Sequence, residues 1–212
     1  ASNNTAVGYS ALNANTTGAA NVAVGTSALA ANTTASDITA VGYGSLYSNT
    51  TGANNAAFGS SALNANTTGA GNTAVGRTAL TANTTGNYST CVGYQAGAAN
   101  TSGTEHTFIG FLAGRYTTGS GIDYNTGIGS RSLYANTSGE YNVGVGAYSL
   151  AANTTASNNT AVGYNSLGAN TTGAGNTALG NLTLAANTTA NDNTAVGYNA
   201  LNDNTTGASN VA

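Results

Sequence analysis

Apolar and small residues recur along this chain at a fixed period. The hexapeptide Asn-Thr-Ala-Val-Gly-Tyr returns throughout. Its glycine marks the register at Gly8, Gly25, Gly42, Gly59, Gly76, Gly93, Gly110, Gly129, Gly146, Gly163, Gly180 and Gly197. Each interval is 17 residues except Gly110 to Gly129, which is 19, so twelve units fill residues 1–212 as a single array. The irregular unit falls near residues 115–125. Aligning its Thr117-Thr118-Gly119 with the Asn-Thr-Thr-Gly of other units implies one residue lost before that triplet and three gained between Ser120 and Asn125.

Each column of the repeat has its own chemistry. The residue before the glycine is always apolar: Val7, Val24, Val41, Phe58, Val75, Val92, Ile109, Ile128, Val145, Val162, Leu179 and Val196. Four residues after the glycine stands Leu12, Leu29, Leu46, Leu63, Leu80, Leu133, Leu150, Leu167, Leu184 or Leu201, and two units have Gly97 and Gly114 instead. These two columns are the expected core. The third position after the glycine is small, as in Ala11, Ser45 and Thr183, while the first two accept Tyr, Thr, Arg, Gln or Leu and so face solvent or a partner. Tyr9, Tyr43, Tyr94, Tyr164 and Tyr198 share the first of these outward columns. They are either a contact surface, as tyrosine often is at interfaces, or simply good strand residues.

Seventeen residues is too short for helical-pair repeats. The β-branched, alternating Thr-Ala-Val-Gly-Tyr segment predicts a short strand. Asn-Thr-Thr-Gly predicts a turn, because Asn and Gly tolerate the left-handed conformation. A second short strand is expected over the Ala-Leu segment. The fold class that follows is all-β: a parallel β-solenoid whose coils each advance roughly 4.8 Å, giving a rod of about 55–60 Å. Asn15, Asn32, Asn49, Asn66, Asn83, Asn100, Asn136, Asn153, Asn170, Asn187 and Asn204 occupy one position of the repeat. Asn4, Asn21, Asn55, Asn72, Asn125, Asn142, Asn159, Asn176 and Asn193 occupy another. Amides one strand spacing apart can bond along the stack as a ladder.

Composition narrows the function. Only 4% of residues are charged, the formal net charge is −3, there are 30 glycines, and Pro, Met, Trp and Lys are absent. Disorder pairs low hydrophobicity with high net charge, whereas 40% of this chain is hydrophobic. Three arginines make no footprint for nucleic acid, and the apolar runs are too short for membrane insertion. Cys91, Glu105 and His106 are close in sequence but fall in different columns. Asp37, Asp123, Asp192 and Asp203 are isolated. No cluster has metal-ligand spacing, and no glycine-rich stretch carries the lysine of a phosphate loop. We therefore expect no enzyme, no catalytic residue, no metal and no cofactor. The eleven Asn-Thr-Thr or Asn-Thr-Ser turns are also glycosylation sequons, although ladder and turn chemistry already accounts for them. One large residue per column makes a thin core, and the chain starts and stops inside a repeat. This leads us to expect a segment of a longer fibre that self-associates end to end, or laterally through close approach of the small Ala/Ser column.

The segments Thr5-Ala6-Val7-Gly8-Tyr9-Ser10-Ala11 and Thr107-Phe108-Ile109-Gly110-Phe111-Leu112-Ala113-Gly114 resemble the head repeats of trimeric autotransporter adhesins and similar repeats of bacteriophage tail fibres. The resemblance covers nearly the whole chain, which departs from the pattern in carrying an added Asn-Thr-Thr-Gly arm in each unit. It implies a left-handed parallel β-roll, a homotrimer, an extracellular place on a cell surface or virion, and a partner such as a host surface, matrix or glycan. The expected function is thus a structural or adhesive fibre segment. Two alternatives remain: an ice-binding solenoid with Thr ladders such as Thr16-Thr17 and Thr67-Thr68, or a self-assembling surface filament with no specific ligand.

Overall fold

The computed structural model describes residues 1–118 and 124–212; Asp123 and the rest of the insertion, residues 119–122, lie outside the described residues. Each repeat contributes one three-residue strand, centred on its Thr-Ala-Val stretch. These are β1 (Thr5–Val7), β2 (Val22–Val24), β3 (Thr39–Val41), β4 (Ala56–Phe58), β5 (Thr73–Val75), β6 (Thr90–Val92), β7 (Thr107–Ile109), β8 (Thr126–Ile128), β9 (Val143–Val145), β10 (Thr160–Val162), β11 (Thr177–Leu179) and β12 (Thr194–Val196). They lie in chain order in one 12-stranded parallel sheet. Partners stand one repeat apart, as in Thr5↔Val22, and across the irregular unit Thr107 pairs with Thr126. The protein is an all-β parallel solenoid with coils of about 17 residues and no helix among the described residues. Coils are numbered here by their strand.

The motif glycine ends each strand at φ between +126° and +140°, a region only glycine enters freely. Space forbids a side chain as well: a Cβ on Gly8 would stand 2.7 Å from the carbonyl carbon of Gly25 in the next coil. Beyond the glycine, the expected second strand does not form. The Leu column sits at φ +48° to +54°, and left-handed residues two and four places after the glycine break any extended run. A non-glycine residue there costs about 1–2 kcal/mol, and burying its leucine side chain offsets that by roughly 1.5–3 kcal/mol. Coil-to-coil rungs continue through these turns all the same. Leu29 N–H donates to Ser45 O at 2.9 Å, Ala31 N–H to Tyr47 O at 3.0 Å and Thr33 N–H to Thr50 O at 3.2 Å.

The interior differs from the expected one on one side. The centre of each strand points inward: Ala23, Ala40, Ala57, Ala74, Cys91, Phe108, Ala161, Ala178 and Ala195 are 0% exposed. They meet the leucines of the facing wall, which are fully buried from Leu29 to Leu184 and partly buried at Leu12 and Leu201 in the outermost coils. Successive strand residues face opposite ways, so with alanine inward both flanking residues must face outward. The column expected as half of the core, comprising Val7, Val24, Val41, Phe58, Val75, Val92, Ile109, Ile128, Val145, Val162, Leu179 and Val196, therefore lies on the outer face of the sheet. None of these residues is buried. The small column, conversely, is internal. Ala28, Ser45, Ala62, Ser132, Ser149, Ser166 and Thr183 are all buried, so it lines the core rather than a lateral contact. Its hydroxyls donate to interior carbonyls, for example Ser166 Oγ to Ala178 O at 3.0 Å.

The two gaps in the Leu column lie beside the two enlarged inward residues. Phe108 replaces the inward alanine of β7 and its ring fills the space of a leucine at 114, while Cys91 replaces that of β6 and its Sγ would lie 2.7 Å from a Cβ on Gly97. A Cβ on Gly114 would lie 2.5 Å from that ring and one on Gly97 3.3 Å; at Gly127, in the neighbouring strand, the distance would be 3.0 Å. Phe108 is thus a large-for-small exchange that its glycine neighbours compensate.

Two buried amide columns bind the turns. In the first, each Asn Nδ2 donates to the preceding coil's Asn Oδ1, as in Asn66 to Asn49 and Asn83 to Asn66 at 2.8 Å. It donates also to the carbonyl three residues on, as in Asn83 to Gly86 at 3.1 Å. In the second column, Oδ1 accepts the main-chain N–H of the next coil, as from Asn72 to Asn55 at 2.9 Å, while Nδ2 reaches a turn carbonyl. The columns converge: Gly86 O accepts from both Asn72 and Asn83. The first ladder is interrupted at Thr117, whose buried Oγ1 has no partner. Thr118 still pairs with Thr101 on one side and Thr137 on the other, so coil 7 keeps its spacing up to that point. The gain expected between Ser120 and Asn125 falls mainly outside the described residues.

Asn83→Ala should lower stability by about 2–4 kcal/mol, because it strands partners in two buried coils, whereas Asn204→Ala in the end coil should cost under about 1 kcal/mol. Urea denaturation midpoints of the two variants check this contrast. Phe108→Ala should cost about 3–5 kcal/mol, and adding Gly114→Leu should recover part of it, whereas Gly97→Leu should need Cys91→Ala as well. Either leucine placed beside the native Phe108 should instead destabilise. Thermal melts of the single and combined variants measure the coupling.

Candidate functional site

Two outward surfaces stand out from the uniform interior. The first is the outer face of the sheet. One residue per coil from the valine column projects there, with Val7 57%, Phe58 41%, Ile109 37%, Val162 38% and Val196 59% exposed. Two residues before each lies an outward threonine in most coils, as at Thr39, Thr73, Thr90, Thr107, Thr126, Thr160 and Thr177, all half-exposed. Strand pairing holds both columns in register. The result is a flat ribbon of alternating hydroxyl-bearing and aliphatic stripes along the sheet.

The second surface begins where the motif glycine turns the chain off the sheet. Arg77 of coil 5 lies 5.8 Å from the ring centroid of Tyr94 in coil 6. Tyr94 stacks on Phe111 of coil 7, with centroids 5.7 Å apart and planes at 15°. Arg115 sits 5.0 Å from the Tyr116 ring, which meets Tyr134 edge-on at 5.0 Å. Arg131 lies between Tyr134 and Tyr148, at 5.8 and 5.7 Å, and Tyr148 meets Tyr164 at 6.0 Å. Arg77, Arg115 and Arg131 are the only cationic side chains in the sequence, so all its positive charge lies on coils 5 to 8. The contact between the two phenols pushes the Tyr116 group up and holds Tyr134 down, the latter also stabilised as phenolate by Arg115 and Arg131.

Of the tyrosines singled out from the sequence, Tyr9, Tyr43, Tyr94, Tyr164 and Tyr198 are all exposed. Only Tyr94 and Tyr164 join the cluster; Tyr9, Tyr43 and Tyr198 lie away from it. Residue-by-residue columns hide the cluster, because its members sit one, two, five and six places after the glycine. The one signal of it in the sequence is that all three arginines fall within residues 77–131. Cys91 and His106 are interior, with the His106 ring 4.9 Å from that of Phe108, while Glu105 is exposed. Among the described residues no three His, Cys, Asp or Glu side chains come together. Asp37 and Asp192 occupy an exposed column on the opposite arm of the coil, and Asp203 is exposed in the last coil. In the turn Thr pairs, the first hydroxyl donates to the next coil, as in Thr16 Oγ1 to Thr33 O at 2.9 Å and Thr67 Oγ1 to Thr84 O at 3.0 Å. That column is committed to the stack.

No family model matches this chain, and no curated protein or solved structure compared with it does either.

Burial pushes the Cys91 thiol well above its usual range, with only a main-chain bond to Phe108 opposing the shift. Because the thiolate is the reactive form, Cys91 should resist a disulfide-exchange reagent at neutral and mildly alkaline pH in the native protein. It should react stoichiometrically once denaturant opens the coils. Absorbance of the released thiol chromophore reads both states.

Proposed function

We propose that this chain is a segment of an extracellular structural or adhesive fibre that self-associates along the outer face of its sheet; its resemblance to the head repeats of trimeric adhesins and to phage tail-fibre repeats implies a homotrimer. The observation that carries the reading is the unbroken apolar stripe on that face, from Val7 to Val196. Apolar surface that is continuous over such a length marks an interaction site. Its spacing, one side chain per coil, suits a partner built on the same repeat. A second copy supplies that partner, and a closed ring of copies would leave no stripe in water. The catalytic role is none: the chain acts by presenting a repetitive surface. Rigidity comes from the hydrogen-bonded stack, whose rungs run through both strand and turns.

A second reading has one observation in its favour. The strand threonines, such as Thr73, Thr90 and Thr107, lie on the flat outer face beside the aliphatic column, unlike the turn pairs. Hydroxyl and methyl groups repeated about 4.8 Å along the stack form an ordered array of the sort an ice surface would meet.

Sedimentation equilibrium separates the two. The chain is expected to form a defined oligomer, and Val41→Glu, Val75→Glu and Val145→Glu together should return it to a monomer with an unchanged β-type circular dichroism spectrum. A native chain that stays monomeric at micromolar concentration and depresses the freezing point below the melting point would sink the fibre reading in favour of ice binding.

A further inference from the structure

We propose that the arginine–aromatic cluster on coils 5 to 8 binds an acidic polysaccharide, with its sugars packed against the exposed edges of the Tyr94–Phe111 stack and against Tyr116, and their carboxylate or sulfate groups paired with Arg77, Arg115 and Arg131. This extends the adhesive reading by giving it a ligand class. It uses a different face from the Thr–Val ribbon, and its readout does not depend on assembly.

Nothing in the fold requires large residues here. In other coils the fifth and sixth places after the glycine hold Ala30-Ala31, Ala98-Ala99, Ala151-Ala152 and Ala185-Ala186, and Leu29, Leu150 and Leu184 beside three of these pairs are fully buried all the same. Coil 7 instead puts Arg115-Tyr116 at these places and Phe111 at the first. Phe111 is 49% exposed, Tyr116 42% and Tyr94 38%, so a large part of three aromatic side chains stands in water although Tyr94 and Phe111 stack on one another. Solvent exposure of this much ring surface has a cost that only a partner recovers.

The geometry points to flat, extended and anionic ligands. Tyr94 and Phe111 come from successive coils and stack with planes 15° apart, so they present exposed ring edges along the rod rather than a pocket. An extended polysaccharide running along the stack packs the apolar C–H patches of its sugars against these edges and against Tyr116. Among the described residues the side-chain contacts of the three arginines are with tyrosines: Arg77 with Tyr94, Arg115 with Tyr116 and Tyr134, and Arg131 with Tyr134 and Tyr148. Ring contact orients a guanidinium and leaves its N–H fork for a carboxylate or sulfate, the groups it grips best. Of the acidic residues, Asp37, Glu105, Glu140 and Asp192 lie in columns just ahead of the strand, Asp203 is in the last coil, and Asp123 lies outside the described residues. A nucleic acid fits less well, since a phosphate at every nucleotide would meet three cations on a chain of net charge −3.

The test is direct binding of the whole chain, by biolayer interferometry, to polygalacturonate, heparin, dextran and oligo-dT. Polygalacturonate reads the carboxylate arm and heparin the sulfate arm. At least one is expected to bind, to weaken as salt rises, and to exceed neutral dextran. The exposed triple variant R77Q/R115Q/R131Q should lose about tenfold or more in affinity, and F111A should weaken binding while leaving the salt dependence intact. A measurement needing no variant accompanies these. Anions seated on Arg115 and Arg131 remove the positive field at Tyr134, so saturating polymer should raise its phenol titration, followed by ultraviolet absorbance. Binding to neither acidic polymer, full affinity in the triple variant, an unmoved Tyr134 titration, or tighter binding of oligo-dT than of both polysaccharides each overturns the inference. A chain that is monomeric yet binds these polymers overturns self-association alone.

Discussion

Everything in this molecule depends on a carboxamide that satisfies its own turn and the neighbouring coil at once. A buried amide left unpaired costs about 1–3 kcal/mol, so an Asn column is tolerable only if every coil stacks in the same register. Once stacked, the two columns converge on shared turn carbonyls such as Gly86 O, and slippage by one residue would break all of these bonds together. This constraint explains the scarcity of charge inside the stack. A neutral amide is both donor and acceptor and repeats without repulsion, whereas a carboxylate or ammonium one strand spacing from its copy would not.

Close stacking carries a second consequence. The motif glycines approach the next coil so nearly that no Cβ fits, and the wall opposite is kept a leucine's reach away from an alanine. A coil this flat has room for one large side chain across its width. Phe108 makes the point by exception, since its ring is accommodated only where leucine has given way to Gly114. The remaining aliphatic residues of the repeat have nowhere to go but outward. The water-facing stripe is therefore a product of the same geometry that makes the core.

The irregular unit and the arginine–aromatic cluster occupy the same stretch of the array. Coil 7 lacks the ladder asparagine, carries Thr117 in its place, and bears Arg115, Tyr116 and Phe111 on its surface. Repeat architecture allows this because each coil contacts chiefly its neighbours, so a local departure is paid for locally. Function on such a rod is written in the outward columns of a few coils, while the interior of the others keeps them straight.

Much of this was legible in the residues alone. A 17-residue period, a glycine at one place in every unit and asparagine recurring at two others determined a stacked parallel all-β coil, because only identical neighbours satisfy identical polar groups. What the sequence did not determine was the direction in which the side chains of a column point. Valine and leucine columns look alike as strings, yet Leu63 is buried and Phe58 is 41% exposed, since the strand is only three residues long and alternation hands its single inward place to alanine. Nor did spacing bring Arg77, Tyr94, Arg115 and Arg131 to one surface, for they sit at different places in different units. Left-handed leucines bend the chain where an extended second strand was expected, and stacking of the bent coils sets Arg77 against Tyr94 and Arg131 between Tyr134 and Tyr148. Periodicity is a property of the chain, but inside and outside exist only once the coil has closed.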